Sequence, residues 1–330
     1  TDLAQDNAIL WSRLSQLELA NGNYSAALTA ARKAEQLNPD LAGTQVLLGF
    51  ANLVSNNAKV STQAFKRAIS LDSSDPLARL GLGLAEIDQG DLEQGTRELE
   101  TAVNLNANSA VIRSYLGKAY YEQKNQDYAE KEFELAKAAD LNDPTPWLYD
   151  AILKQSTNRP VQALHDMQTA IKLNDFRGIY RSSLLLDEDR ALRAVSLSRI
   201  YNNLGFDQVA INTSTSSLSN DQSNYSAHRF LFDSYAQRPR HEAARISELL
   251  QAQLLQPINT NPVQPETVET NLNIQSGMSP STIGFNEFTA LFDRNKDQFI
   301  GSGIIGNHNT YADQAVVAGH HDGFSYSLGQ

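Results

Sequence analysis

The sequence predicts a mainly α protein, a right-handed α-solenoid of about seven helix pairs followed by a β-rich or extended C-terminal tail. Three observations carry that prediction. Leu48-Gly49, Leu82-Gly83 and Leu116-Gly117 sit 34 residues apart. Phe65, Leu99 and Phe133 follow their leucines by 17 residues, and Ala68, Ala102 and Ala136 follow them by 20, so several anchors share one register. After Pro257 these anchors stop and Asn, Thr, Pro, Gly and Ser take over, with Lys296 the only lysine left. A period of this length marks a two-helix unit too small to bury its own apolar face, which stacked neighbours bury instead.

Position 1 is set seven residues before the small residue at position 8 of each first helix, which gives units starting near Ala8, Ala42, Pro76, Ala110, Pro144, Ala191 and Tyr225. The first carries Trp11, Leu14, Ser15, Ala27, Ala31, Ala34 and Pro39; the fifth carries Trp147, Ala151, Ala163, Met167 and Ala170; the seventh carries Leu231, Tyr235, Ala244 and Pro257. Period and anchors together resemble the tetratricopeptide repeat. The resemblance implies a concave groove lined by the first helix of each pair.

Each element has a local reason. Gly49, Gly83, Gly117, Ala27 and Ala163 suit close helix crossings, and Pro39, Pro76 and Pro144 fall at helix boundaries because proline cannot continue a helix. Asn21-Gly22-Asn23, Ser55-Asn56-Asn57, Gln89-Gly90-Asp91 and Gln123-Lys124-Asn125 occupy equivalent turns, each with a Gly or Asn able to take left-handed backbone angles. The step from Pro144 to Ala191 is 47 residues, so an insert of about 176–190 separates repeats five and six, as an interhelical loop or a protrusion over the groove. Asn212-Thr213-Ser214-Thr215-Ser216-Ser217 fills the second helix of repeat six with residues that compete for backbone hydrogen bonds, so that helix is expected to be weak.

The domain reading is a solenoid over 1–257, an extended linker over 258–281 with Pro262, Pro265 and Pro280, and a β-rich tail over 282–330. Gly323–Gly329 alternates apolar and small residues as a strand does, and Phe285–Phe292, Gln298–Ile305 and Gln314–Ala318 are further strand candidates.

The chain of 330 residues carries a net charge of −11, which argues against a nucleic-acid or anionic-membrane surface built on clustered Lys and Arg. Arg238-Pro239-Arg240-His241 with Arg245 is a local basic patch that reads as a solvated helix start. With no cysteine the chain has neither disulfide nor thiolate chemistry, and no run of eighteen apolar residues offers a transmembrane helix. A first residue Thr with no signal peptide before it reads as a processed chain or a fragment.

Four stretches resemble parts of large Gram-negative outer-membrane proteins: Arg238-Pro239-Arg240-His241-Glu242, Leu249 to Asn259, Pro262-Val263-Gln264-Pro265 and Phe285-Asn286-Glu287-Phe288. In that family tetratricopeptide repeats follow a FecR-like domain and precede a C-terminal β-barrel. The resemblance covers roughly 190–330 and implies a periplasmic or outer-membrane location, with the final strand where a barrel would start. The chain departs from the pattern in having no FecR-like part and too few strands for a barrel, which takes at least about eight.

Candidate chemistry is sparse. Asp293-Arg294-Asn295-Lys296-Asp297 has oxygen ligands at calcium-loop positions 1, 3 and 5, but Gln298 stands where the loop needs Gly and Ile304 where it needs Glu, so a polar turn is the better reading. His320-His321-Asp322 with His308 suggests a metal, yet adjacent histidines in a strand point to opposite faces. No phosphate loop, nucleophile elbow or Ser/His/Asp set is present, and neither cofactor nor metal is expected. Asn23, Asn212 and Asn224 begin Asn-x-Ser/Thr triplets, which arise readily in a chain this rich in Asn and Ser.

The resemblance to the tetratricopeptide repeat implies that positions 2, 5, 9, 12 and 13 of the first helices face the groove. Repeat four offers Ser114, Lys118, Tyr121 and Glu122; repeat five offers Leu148, Ile152 and Gln155; repeat six offers Arg199, Asn202 and Asn203; repeat seven offers Arg229 and Asp233. Repeats two and three offer Phe50, Leu53, Leu80, Leu84 and Ile87, as an apolar groove floor or as packing against an adjacent helix. An apolar early groove and a polar late one suit an extended or helical peptide. The leading reading is a non-enzymatic scaffold that binds a protein or peptide. Its rivals are a self-assembling structural subunit, joined by solenoid stacking or strand exchange, and an exopolysaccharide-secretion component.

Overall fold

The computed structural model describes residues 6–173, 190–220, 222–236, 238–255, 296–306, 310–321 and 324–329. The chain divides into two compact units. The first holds five helix pairs: α1 (Ala8–Ala20) with α2 (Tyr24–Leu37), α3 (Ala42–Leu53) with α4 (Ala58–Leu71), α5 (Pro76–Asp88) with α6 (Leu92–Leu105), α7 (Ala110–Glu122) with α8 (Gln126–Ala139), and α9 (Pro144–Ser156) with α10 (Pro160–Lys172). The second holds α11 (Arg190–Asn203) with α12 (Asp207–Asn220), α13 (Tyr225–Ala236) with α14 (Glu242–Leu255), and an antiparallel sheet of order β1 (Lys296–Gly306), β2 (Thr310–His321), β3 (Phe324–Gly329). The insert, the linker, the Phe285–Phe292 candidate and Asp293–Asn295 of the calcium-like segment lie outside the described residues.

Each pair closes by the same devices. Asp75 and Asp143 cap α5 and α9 through hydrogen bonds accepted from Leu77 N and Thr145 N, both at 2.8 Å, with Pro76 and Pro144 as first helical residues. The turn between the two helices carries one left-handed residue at the same repeat position: Gly22, Asn56, Gly90, Lys124, Asn158 and Gly205. In the fourth repeat that residue is Lys124 (φ 61) and not the neighbouring Asn125, so the expectation of Gly or Asn fails there.

Glycine sets the closest crossings. A Cβ on Gly49 would stand 2.6 Å from the Phe65 ring, and one on Gly117 would stand 2.6 Å from Phe133. At Gly83 and Gly95 backbone meets backbone, since Cβ atoms there would lie 2.7 and 2.5 Å from the opposite carbonyl oxygen. Behind them a continuous apolar core runs from Leu19 to Ala119.

Successive pairs are joined by a first helix lying on the second helix of the preceding pair. Polar bonds recur along this junction at equivalent positions: Gln89 Nε2 donates to Thr62 Oγ1 at 2.6 Å, Gln123 Nε2 to Thr96 Oγ1 at 2.9 Å, and Tyr120 Oη to Glu100 Oε1 at 2.8 Å. Burial and the bond to Glu100 push the Tyr120 hydroxyl well above the usual phenol range.

Repeat five breaks the pattern at its centre. Position 7 is Leu14, Leu48, Leu82 and Leu116 in the first four repeats and Asp150 in the fifth. Asp150 is fully enclosed and joins a buried quartet. Its Oδ2 pairs with Lys137 from α8 and, at 2.9 Å, with Lys154 one turn along; Asp166 from α10 pairs with Lys154 at 2.6 Å and Lys137 at 3.4 Å. The Lys137 ammonium also lies 4.3 Å from the centroid of Trp147. Burial works against the charge on Lys154, but the hydrogen bonds from both aspartates outweigh it and raise its pKa.

In α12 the Ser- and Thr-rich run, expected to make a weak helix, forms 14 uninterrupted helical residues. The hydroxyls turn back onto the helix, Thr213 donating to Val209 O at 2.8 Å and Thr215 to Ile211 O at 2.9 Å, so they do not compete for the backbone amides.

Two predictions follow from this packing. Gly95→Ala forces the α5–α6 backbones apart and costs about 1–3 kcal/mol in chemical denaturation. Asp150→Asn leaves two lysines around one buried aspartate and costs about 3–5 kcal/mol, whereas Asp150→Leu with Lys154→Leu restores the leucine slot, leaves Lys137 paired with Asp166 and costs far less; equal losses in the single and double variants would contradict this account.

Candidate functional site

The face expected to line a groove is much more enclosed than its repeat positions imply. Phe50, Leu53, Leu80, Leu84 and Ile87 are all buried, so they are core and not an apolar groove floor. Phe50 stacks edge-on against Phe65 with centroids 4.9 Å apart. Neighbouring first helices approach closely enough for Ser12 and Thr44 to share a hydrogen bond of 2.9 Å, which closes the space between their inner faces. Leu148 and Ile152 are buried in the same way. Ser114 is 0% exposed and its hydroxyl donates to Ala110 O at 2.7 Å, which corrects its assignment as a partner-binding residue.

A polar patch survives in repeats four and five. Lys118, only 1% exposed, forms an ion pair with Glu122 one turn on, and its ammonium lies 5.1 Å from the centroid of Tyr121. Tyr121 is half-buried, and burial pushes its hydroxyl up to about 12, with a bond to Ser156 pulling the other way and the Glu122 charge adding to the rise. That bond ties Tyr121 to Ser156 at the end of α9, where the preceding residue, Gln155, is half-buried and its Oε1 has no hydrogen-bond partner among the described residues. The structure therefore brings Lys118, Tyr121 and Glu122 together on α7 and ties Tyr121 to the end of α9, one residue from Gln155. Such a patch can offer an aromatic face, a carboxylate and an amide to an extended chain.

The remaining five candidates lie in the second unit. On α11, Arg199 and Asn202 are half-buried and Asn203 is exposed; on α13, Arg229 is buried and Asp233 half-buried. Among the described residues no group of three His, Asp or Glu side chains is placed to hold a metal ion. Asp297 of the calcium-like segment lies in β1, where its Oδ1 accepts from Tyr326 Oη at 2.7 Å and from His321 Nε2 at 2.9 Å. Those bonds, the tyrosine's first, hold its carboxyl below the usual range.

Sequence reasoning passed over Asp150, Lys154 and Asp166, whose quartet supports the α9 end of the patch. The signal was present: an aspartate in a slot filled by leucine four times over. Trp147, read only as a repeat anchor, is the surface on which Lys137 rests, and its Nε1 is buried without an acceptor among the described residues.

One face of the sheet carries an apolar row beside the Asp297, His321 and Tyr326 cluster. Phe299, Val317 and Leu328 form a cross-strand row, and Tyr311 and Phe324 extend the same face toward its two ends. Phe299, Tyr311, Phe324 and Leu328 are each 69% exposed or more.

No family model and no curated protein sequence matches the chain. Among solved structures it is similar to a chain of the APC/C hetero-tetramer Cut9-Hcn1, with TM-score 0.63 and 16% identity over 73% of this chain and 45% of that one. It is also similar to PilF of Pseudomonas aeruginosa, with TM-score 0.53 and 17% identity over 68% of this chain and 97% of that one. PilW, a widely conserved type IV pilus biogenesis factor, gives TM-score 0.56 and 12% identity over 68% and 98%. This chain spans less than half of the first of these and nearly all of the other two. With the repeat geometry described above, these likenesses establish the fold as that of a tetratricopeptide-repeat α-solenoid.

Proposed function

We propose that the chain is a non-enzymatic scaffold that binds a protein or peptide ligand through the first-helix face of its repeats, in the periplasm or at the outer membrane of a Gram-negative bacterium. The observation that carries the binding reading is the partly exposed edge of Tyr121 and Glu122 on α7, tied to the end of α9 through the Tyr121–Ser156 bond. The Glu122 carboxylate can accept from a peptide N–H, and the tyrosine supplies a rigid face at small entropic cost. Lys118 acts from behind by fixing Glu122. The solenoid fold, shared with PilF and PilW, supports the class of function.

The compartment draws its support from the resemblance of 238–288 to outer-membrane proteins and from the sheet. Strands β1 and β2 are 11 and 12 residues long, which matches the about 9–11 that a tilted strand needs to cross a bilayer core. The Phe299, Val317 and Leu328 row with Tyr311 and Phe324 supports a lipid-facing wall whose apolar band ends at the polar Asp297, His321 and Tyr326 cluster.

A photo-crosslinking amino acid placed at Tyr121 is expected to trap a discrete partner in cells, while the same group at Lys131 on α8 is not. Equal labelling at both positions, or none at either, would count against the groove. The full chain is also expected to float with phosphatidylethanolamine–phosphatidylglycerol vesicles, and Phe299→Glu with Leu328→Glu to stay in the dense fraction; a wild-type chain that remains dense removes the membrane reading.

A further inference from the structure

Inside the repeat array one interface recurs: the outer face of a second helix covers the back of the next first helix. The covered stripe is identified by Gly81, where a Cβ would strike Phe65, and by the Gln89 and Gln123 bonds to Thr62 and Thr96. Residues three before and four after Gly81 lie on that stripe by helical spacing. They are Ala78 and Ala85, both 0% exposed, and their counterparts Thr44, Ala51, Ile112 and Ala119 are equally enclosed.

The same two positions of α1 are Leu10 and Leu17, which are 51% and 49% exposed. Bulky leucines stand there with no second helix over them among the described residues. In the second unit α14, the last described helix, shows the opposite half. Ala252 and Arg245 fill its inner slots, seven apart as Ala34 and Ala27 are in α2, which places Leu249 where Phe65, Leu99 and Phe133 stand. Those three are fully buried, but Leu249 is only half-buried. Beside it Ile246 and Leu250 are half-buried and Leu254 is 59% exposed, giving an apolar row at i, i+4 and i+8.

We propose that copies of this chain associate head to tail, α14 of one copy stacking on α1 of the next as a second helix stacks on the following first helix within the array. Among the described residues nothing covers either face, and the two are complementary halves of an interface the chain already makes with itself, at α2–α3, α4–α5, α6–α7 and α8–α9. Because donor and acceptor faces differ, the contact is heterologous and can propagate as an open chain of copies. This goes beyond the scaffold reading and does not depend on the groove.

Sedimentation velocity of the full chain over a concentration series tests it. The expected result is a sedimentation coefficient that rises steadily with concentration. Leu17→Glu and Leu250→Glu each abolish the rise, and mixing the two variants produces a dimer that grows no further, since each retains one intact face. Leu10→Glu and Leu254→Glu, both at exposed sites, repeat the test should either first variant lose its helical circular dichroism. A chain that stays monomeric throughout, growth that persists in both variants, or a mixture that yields no dimer would each overturn the proposal.

Discussion

A pair of helices encloses so little space that one face of each must be covered from outside, and the junction between a second helix and the next first helix provides that cover. Everything else in the helical units is arranged around this contact. The glycines at position 8 let a pair close on itself, and Phe65 reaches past Gly49 to touch Gly81 of the following pair, so a single ring serves two repeats. The Gln–Thr bonds then fix how far one pair slides along the next. Since every junction depends on its neighbour, stability is a property of the stack and not of any one unit.

The quartet in repeat five shows what happens when charge enters such a junction. Four ionised groups that balance in sign replace a leucine and its surroundings, tying α8, α9 and α10 together. Buried pairs of this kind seldom add stability over apolar packing, because desolvation offsets the attraction, but they penalise any arrangement in which the partners separate. The junction between repeats four and five is thereby the most directional in the first unit. It is also the frame on which Gln155 and Tyr121 are held.

Packing between adjacent first helices has consumed the inner positions of repeats two and three. Among the described first-helix candidates, those that still meet solvent are Tyr121, Glu122 and Gln155 in the first unit and Arg199, Asn202, Asn203 and Asp233 in the second.

The sequence alone was enough to read the period, the boundaries capped by Asp75 and Asp143, the close crossings at Gly49, Gly83 and Gly117, and the strand at Phe324–Gly329, because each follows from a local rule of spacing or backbone freedom. It also marked Lys118, Tyr121, Glu122 and Gln155 by their place in the repeat. Only the tertiary structure decided which of the marked residues stay accessible: Ser114, Phe50 and Leu84 share repeat positions with groove residues but vanish into the packing, since burial depends on how closely neighbouring helices approach. The same holds for Lys124, whose left-handed backbone is imposed by the closure of its pair, and for Asp150, whose tolerance in a leucine slot depends on Lys137 and Asp166 arriving from other helices. Spacing along a chain fixes which face a residue belongs to; the distance to the next element fixes whether that face meets water or protein.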